Sequence, residues 1–114
     1  MPQVLVYVTA GSREKALAIG RAVVDERLAA CVNILGSMTS IYRWQGEICE
    51  DEEVAFIVKT RDDLVAALSE RIRALHDYDV PCVVALPIAA GNPDFLNWIA
   101  AQCRSGGSDG GGED

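Results

Sequence analysis

The sequence predicts an α+β fold, and three observations carry that prediction. Apolar runs with strand character alternate with segments of helical period, in the order β α β, long β-hairpin, α, β, α. Glycines, prolines and capping residues fall mostly between these segments rather than inside them. One pair of strand-like runs, Thr39–Trp44 and Glu47–Val58, is longer than a chain of 114 residues needs for its own core.

Gln3–Ala10 is a nearly continuous apolar run ended by Gly11, the pattern of a central or doubly covered strand. Ser12 is placed to cap a helix, with Glu14 in its first turn. That helix runs to about Arg27. Ala16, Leu17, Gly20, Val23, Val24 and Leu28 recur at three- and four-residue spacing to give it an apolar face. Gly20 on that face allows close approach to a sheet. Ala29–Leu35 reads as a second strand, ended by Gly36-Ser37.

The hairpin follows. Ile41 and Arg43 alternate with Tyr42 and Trp44 across its two faces. Gln45-Gly46 supplies the turn. The return strand climbs from the acidic Glu47–Glu53 into Val54–Val58. An arm that outreaches its own core needs something to pair with, since a long bare edge invites association. The hairpin is therefore expected to be an oligomerisation element.

A second helix is expected from Thr60 as N-cap, with Asp63 three residues on as in a capping box. Leu64, Leu68, Ile72 and Leu75 form its stripe, and it ends near His76–Asp79 before Pro81. Cys82–Leu86 reads as the last strand, with Pro87 limiting it to an edge or a strand end. Gly91-Asn92-Pro93-Asp94 is a helix start, and Phe95, Leu96, Trp98, Ile99 and Cys103 lie on the helix that follows. This order is that of a ferredoxin-like double βαβ sandwich, two helices on one sheet face, with a long β-hairpin and an extra C-terminal helix added. The opposite sheet face is too apolar to be left in water, so a homotrimer or another oligomer is expected to cover it.

The domain is expected to span residues 1–104, followed over 105–114 by a disordered, Gly-rich acidic tail. The net charge is −7. Three of the acids lie in the tail, leaving 14 acids against 10 bases in residues 1–104. This balance argues against a nucleic acid partner, which needs a basic surface. No apolar run reaches the ~18 residues of a membrane span, and the N-terminus lacks a basic leader, so no membrane partner and a cytoplasmic location are expected. Cys31, Cys49, Cys82 and Cys103 include no C-x-x-C pair and are expected to be reduced thiols, with Cys31 and Cys82 in the core and Cys49 exposed.

Several side chains are candidates for function. His76 is the only histidine and the candidate metal ligand. Its bland reading is a helix C-terminal residue favoured by the dipole when protonated. Tyr42, Trp44, Lys59, Tyr78 and Trp98 are candidates for an inter-subunit pocket, since aromatics around one cation resemble a small-molecule site. Their bland reading is subunit packing. The acids Glu47, Glu50, Asp51, Glu52 and Glu53 point alternately to opposite faces of a strand and read as a solvated arm. No Ser/His/Asp set, zinc-protease motif or phosphate loop is present, so the protein is not expected to be an enzyme. A Cys31–His76 nucleophile pair is conceivable, but nothing in the sequence places those two together.

The segments ERLAACVNI (Glu26–Ile34), TSIYRWQGEI (Thr39–Ile48), EVAFIVKT (Glu53–Thr60), VPCVVALPI (Val80–Ile88) and GNPDFLNWI (Gly91–Ile99) resemble the CutA divalent-cation tolerance family, in order and spacing, across Val4–Ala101. The resemblance implies a ferredoxin-like homotrimer with interlocking hairpins, related in fold to the PII signalling trimers. It implies a function in tolerance of, or response to, divalent metal ions, with copper binding and with Cu2+ or another divalent cation as the only cofactor. The alternative it leaves is a PII-like regulatory trimer that binds a small molecule or a partner protein at inter-subunit clefts. A purely structural trimer is a third reading. Some relatives bind copper through a Cys and two adjacent His. Those positions are Val8, Leu75 and His76 here, and only His76 matches. Asp77, Asp79 and Cys82 also stand where the family commonly has Pro, Glu and Glu.

Overall fold

The computed structural model describes residues 2–105. The expected tail therefore lies outside the described residues, apart from Ser105. The elements are β1 (Gln3–Ala10), α1 (Arg13–Asp25), β2 (Cys31–Trp44), β3 (Glu47–Arg61), a 3-10 turn (Asp62–Leu64), α2 (Val65–Leu75), β4 (Val83–Pro87) and α3 (Pro93–Gln102). The four strands form one antiparallel sheet in the order β2-β3-β1-β4. This is the strand order of the expected ferredoxin-like sandwich. Among the described residues no helix is long and apolar enough to cross a membrane.

Alternation along the strands divides the sheet into two faces. Val4, Val6 and Val8 of β1, with Phe56 and Val58 of β3, turn toward the helices and are buried. Ile19 and Val23 of α1 and Leu64, Leu68 and Ile72 of the second helical segment close over them. The α1 face is centred on Ile19, and Val24, expected to be inward, is exposed. Gly20 lies against β2 as anticipated. A Cβ there would come within 3.1 Å of a Val32 methyl. Ser12 accepts a hydrogen bond from the Lys15 amide, and Asn92 from those of Asp94 and Phe95, so both expected caps are present.

Three elements differ from the sequence reading. Gly36-Ser37 does not end β2. Leu35 bulges between Ile34, opposite Phe56, and Gly36, opposite Ala55, and the strand continues to Trp44. Gly36 takes φ +122°, a conformation that costs glycine little, so the extra residue is absorbed without breaking the ladder. Thr60 is not an N-cap. It lies buried in β3, and its hydroxyl donates to the Leu28 carbonyl at 2.7 Å. The turn after it is held by Arg61, whose guanidinium donates to Asp63 at 2.9 Å and to the Ala100 carbonyl at 3.0 Å. Cys31 and Cys82 are only half-buried, and Cys49 is half-buried rather than exposed. Cys103 is the buried one, and all four are free thiols.

The other sheet face is only partly covered: α3 lies at its Lys59–Arg61 end, where Lys59 meets Phe95 and Arg61 donates to the Ala100 carbonyl, and the rest of the face has no helix over it. Leu5, Tyr7, Ile57, Val84 and Leu86 lie on it by register, and about half of Val84 and Leu86 is exposed. Beyond Ser37 and Val54 the hairpin leaves the sheet. From Met38–Glu53 to Trp44–Glu47 its strands pair with each other, in register with neither β1 nor β4.

Candidate functional site

The candidate residues fall into three places. His76 follows α2, where the chain turns to extended backbone. Its ring is buried beneath β1. Nε2 lies 2.7 Å from the Thr9 carbonyl oxygen, and Nδ1 lies 3.2 Å from the Tyr78 amide nitrogen. A backbone N–H only donates, so Nδ1 is the acceptor. Nε2 therefore carries the proton and donates to Thr9. This is a neutral imidazole with both nitrogens engaged, and no lone pair is left for a metal. The Asp77 carboxylate is 3.4 Å away on an exposed side chain. Among the described residues no three His, Cys, Asp or Glu side chains gather as a metal would require. Within one chain the residues therefore do not fit the copper site that the resemblance implies. Cys31 lies in register with Lys59, whereas Thr9 above His76 is in register with Ala55, so Cys31 and His76 sit toward opposite ends of the sheet.

The second place is a cleft of about 350 Å³ on the open sheet face, where the hairpin leaves the sheet. Tyr42, Trp44 and Tyr78 line it, with Glu53, Asp79 and Cys82. The loop after α2 brings Tyr78 here. Its ring rests on that of His76, centroids 4.5 Å apart, and its hydroxyl donates to Glu53 at 2.7 Å. The Tyr42 hydroxyl donates to Asp51 across the hairpin. Both phenols are held above their ordinary pKa. Tyr42 is pushed up to about 12, chiefly by its hydrogen bond to Asp51. Tyr78 is raised by burial first and then by its bond to Glu53. Burial likewise raises the Cys82 thiol, with Glu53 nearby adding to the effect. A raised thiol pKa leaves little thiolate at neutral pH, so Cys82 is a poor nucleophile here.

The third place holds Lys59 and Trp98, which the fold separates from the other three pocket candidates. Trp98 stacks on Phe95, centroids 5.5 Å apart, and the Lys59 ammonium sits 5.3 Å from the Phe95 ring centre. Lys59 is six residues beyond Glu53 along β3, near the end of the strand, whereas Glu53 lies at its middle. The expected five-residue pocket is thus two clusters within one chain. Sequence reading missed Glu53 and Asp79 as cleft residues, because it assigned Glu53 to a solvated arm and noted Asp79 only as a departure from the family pattern. The signal that could have found them is the placement of Glu53 on the same hairpin face as Tyr42 and Trp44.

Comparison with known proteins places this geometry among relatives. The sequence model of the CutA1 divalent ion tolerance protein family matches residues 4–102. A divalent-cation tolerance protein CutA of Thermus thermophilus is 54% identical over 95 residues, covering 83% of this chain and 92% of that protein. A chloroplastic CutA of Arabidopsis thaliana is 42% identical over 105 residues, covering 92% of this chain and 58% of that protein. Mouse CutA is 50% identical over 93 residues, covering 82% of this chain but only 52% of its own length. The chain thus spans nearly all of the bacterial relative and little more than half of the other two. Among solved structures, that of the Thermus thermophilus protein superposes with a TM-score of 0.86 at 50% identity, covering 89% of this chain and 98% of that one. A CutA1 structure from Oryza sativa gives 0.89 at 42% identity, covering 92% and 96%.

Proposed function

We propose, since the chain belongs to the CutA1 family of divalent ion tolerance proteins, that it acts in tolerance of divalent cations as a homotrimer, with copper(II) the first cation to assign. The observation that carries this reading is the hairpin together with the exposed part of the open sheet face. Ile41 and Ile48 are about 70% exposed on an arm with no second layer, and Val84 and Leu86 are half exposed on the sheet. Copies of the same chain would cover both. A cation then draws its ligands from more than one copy, because His76 within one copy has no free nitrogen. The role is binding and response rather than turnover.

Copper titration by calorimetry and equilibrium dialysis tests this reading. The expected result is saturable uptake in a fixed ratio to subunits, lost in a variant whose hairpin is shortened. His76→Ala should leave uptake largely intact if the ligands come from the seams. Absence of saturable uptake, or uptake unchanged in the shortened variant, would overturn it.

A second reading has its own support. Tyr42, Trp44 and Tyr78 line one cleft of a size suited to a small molecule, which favours a regulatory protein that binds one at a seam between copies.

A further inference from the structure

We propose that the cleft lined by Tyr42, Trp44 and Tyr78 binds a small organic cation of the alkylammonium class, methylated or not. The proposal rests on the second reading above, that this cleft takes a small molecule, and names the chemistry of the ligand.

Three aromatic side chains wall the cleft, and the other ionisable side chains on it are Glu53, Asp79 and Cys82. No Lys, Arg or His lines it. An aromatic face attracts a cation through its quadrupole, and a nearby carboxylate adds charge complementarity. Here the two effects reinforce each other. The Tyr78 hydroxyl donates to Glu53 and the Tyr42 hydroxyl to Asp51. Each phenol thereby gives up part of its proton to a carboxylate, which makes its ring richer in electrons.

The alternatives fit less well. An anion would meet two carboxylates and no base. A metal ion would need several donors at fixed short distances, and among the described residues no three His, Cys, Asp or Glu gather in that way. A wholly apolar ligand would leave Glu53 and Asp79 facing carbon. The chain also shows the chemistry once internally, where the Lys59 ammonium lies 5.3 Å from the Phe95 ring centre. The cleft has the aromatic faces for such a contact and no internal cation to fill it. At about 350 Å³ it lies near the lower end of ligand pockets, roughly 300–1,000 Å³, so a single ammonium group with short substituents is the fitting size.

The test uses the full chain carrying Trp98→Phe, so that Trp44 alone reports. Tetramethylammonium chloride is titrated at constant chloride, beside tert-butanol as a neutral molecule of similar shape. The expected result is a saturable change in Trp44 fluorescence, with tetramethylammonium at least ~10-fold tighter than the alcohol. Asp79→Asn, on an exposed side chain, and Glu53→Gln should each weaken the cation several-fold and leave the alcohol unchanged. Equal binding of both probes would overturn the cation assignment while leaving a small-molecule cleft. Saturation by neither probe would overturn the cleft reading as well. Metal tolerance in copper-stressed cells is measured separately, so its loss or survival reports on the first reading alone.

Discussion

The base of the sheet and the arm that leaves it are built from the same two strands, yet they obey different rules. In the base, β3 residues alternate between the helix-covered core and the open face, and Phe56 and Val58 are fully buried. In the arm, from Met38–Glu53 outward, the face that bears Ile41 and Ile48 has no second layer, and both remain about 70% exposed. Both parts are paired strand to strand, the base interrupted only by the bulge at Leu35, so pairing alone does not distinguish them. Burial does. A two-stranded ribbon is marginal in water without a third element. The base is buried by its own packing, whereas the Ile41 and Ile48 side chains of the arm find no such cover within the chain.

Substitutions separate the two parts. Phe56→Ala should cost about 3–5 kcal/mol, because it leaves a cavity where the sheet, α1 and α2 meet. Denaturant unfolding checks this, and a loss under about 1 kcal/mol would mean that the base is not the packed unit described here. Ile41→Ser combined with Ile48→Ser should leave the fold of the base untouched. These two side chains share one hairpin face, diagonal to each other in the register Ile41–Glu50 and Arg43–Ile48. The double variant should instead raise the concentration at which copies dissociate by ~10-fold or more, measured by sedimentation. A change in circular dichroism without a change in assembly would place the two residues in the wrong part.

The smallest effect concerns pH. Tyr42 and Tyr78 keep their protons in the folded chain to higher pH than an unfolded chain does. Between the ordinary tyrosine pKa near 10 and the raised values, the unfolded state has lost protons that the native state retains. The contribution is thus fully present below about pH 10 and is lost as pH rises through the folded values. Stability should fall across this window, and Tyr78→Phe should flatten the fall. Absorbance at 295 nm should show a tyrosine component titrating late, absent when Tyr42→Phe and Tyr78→Phe are combined.

The base was largely legible in the sequence. Its strands and helices announce themselves through period, and Ser12, Asn92 and Pro93 mark helix starts by local hydrogen-bond chemistry that needs no tertiary context. Gly20 was legible too, since a glycine amid apolar helix residues has few purposes other than close approach. Gly36 was not, because a bulge and a strand end use the same residue, and only the partner strand decides between them. Thr60 looked like a cap because Asp63 follows at the right spacing. In the fold, the hydroxyl instead satisfies the Leu28 carbonyl, a contact between residues 32 apart in sequence. The cleft was half legible. Tyr42, Trp44 and Tyr78 were identifiable as aromatics in polar stretches. Lys59 and Trp98 joined them only because sequence gives no distance along a folded strand, and Glu53 was hidden within a run of acids. His76 stood out as the only histidine. Its burial between two backbone groups depends on the path of the loop after α2, which no spacing rule supplies.

The central claim is that the arm and the exposed part of the open sheet face serve association with copies of the same chain. Sedimentation equilibrium on the full chain, beside a variant in which residues 41–50 are replaced by a two-residue turn, tests it most directly. The account predicts three times the chain mass of 12.3 kDa for the full chain, and a folded species of lower order for the shortened one. A full chain that sediments as a stable single copy at micromolar concentration would contradict it.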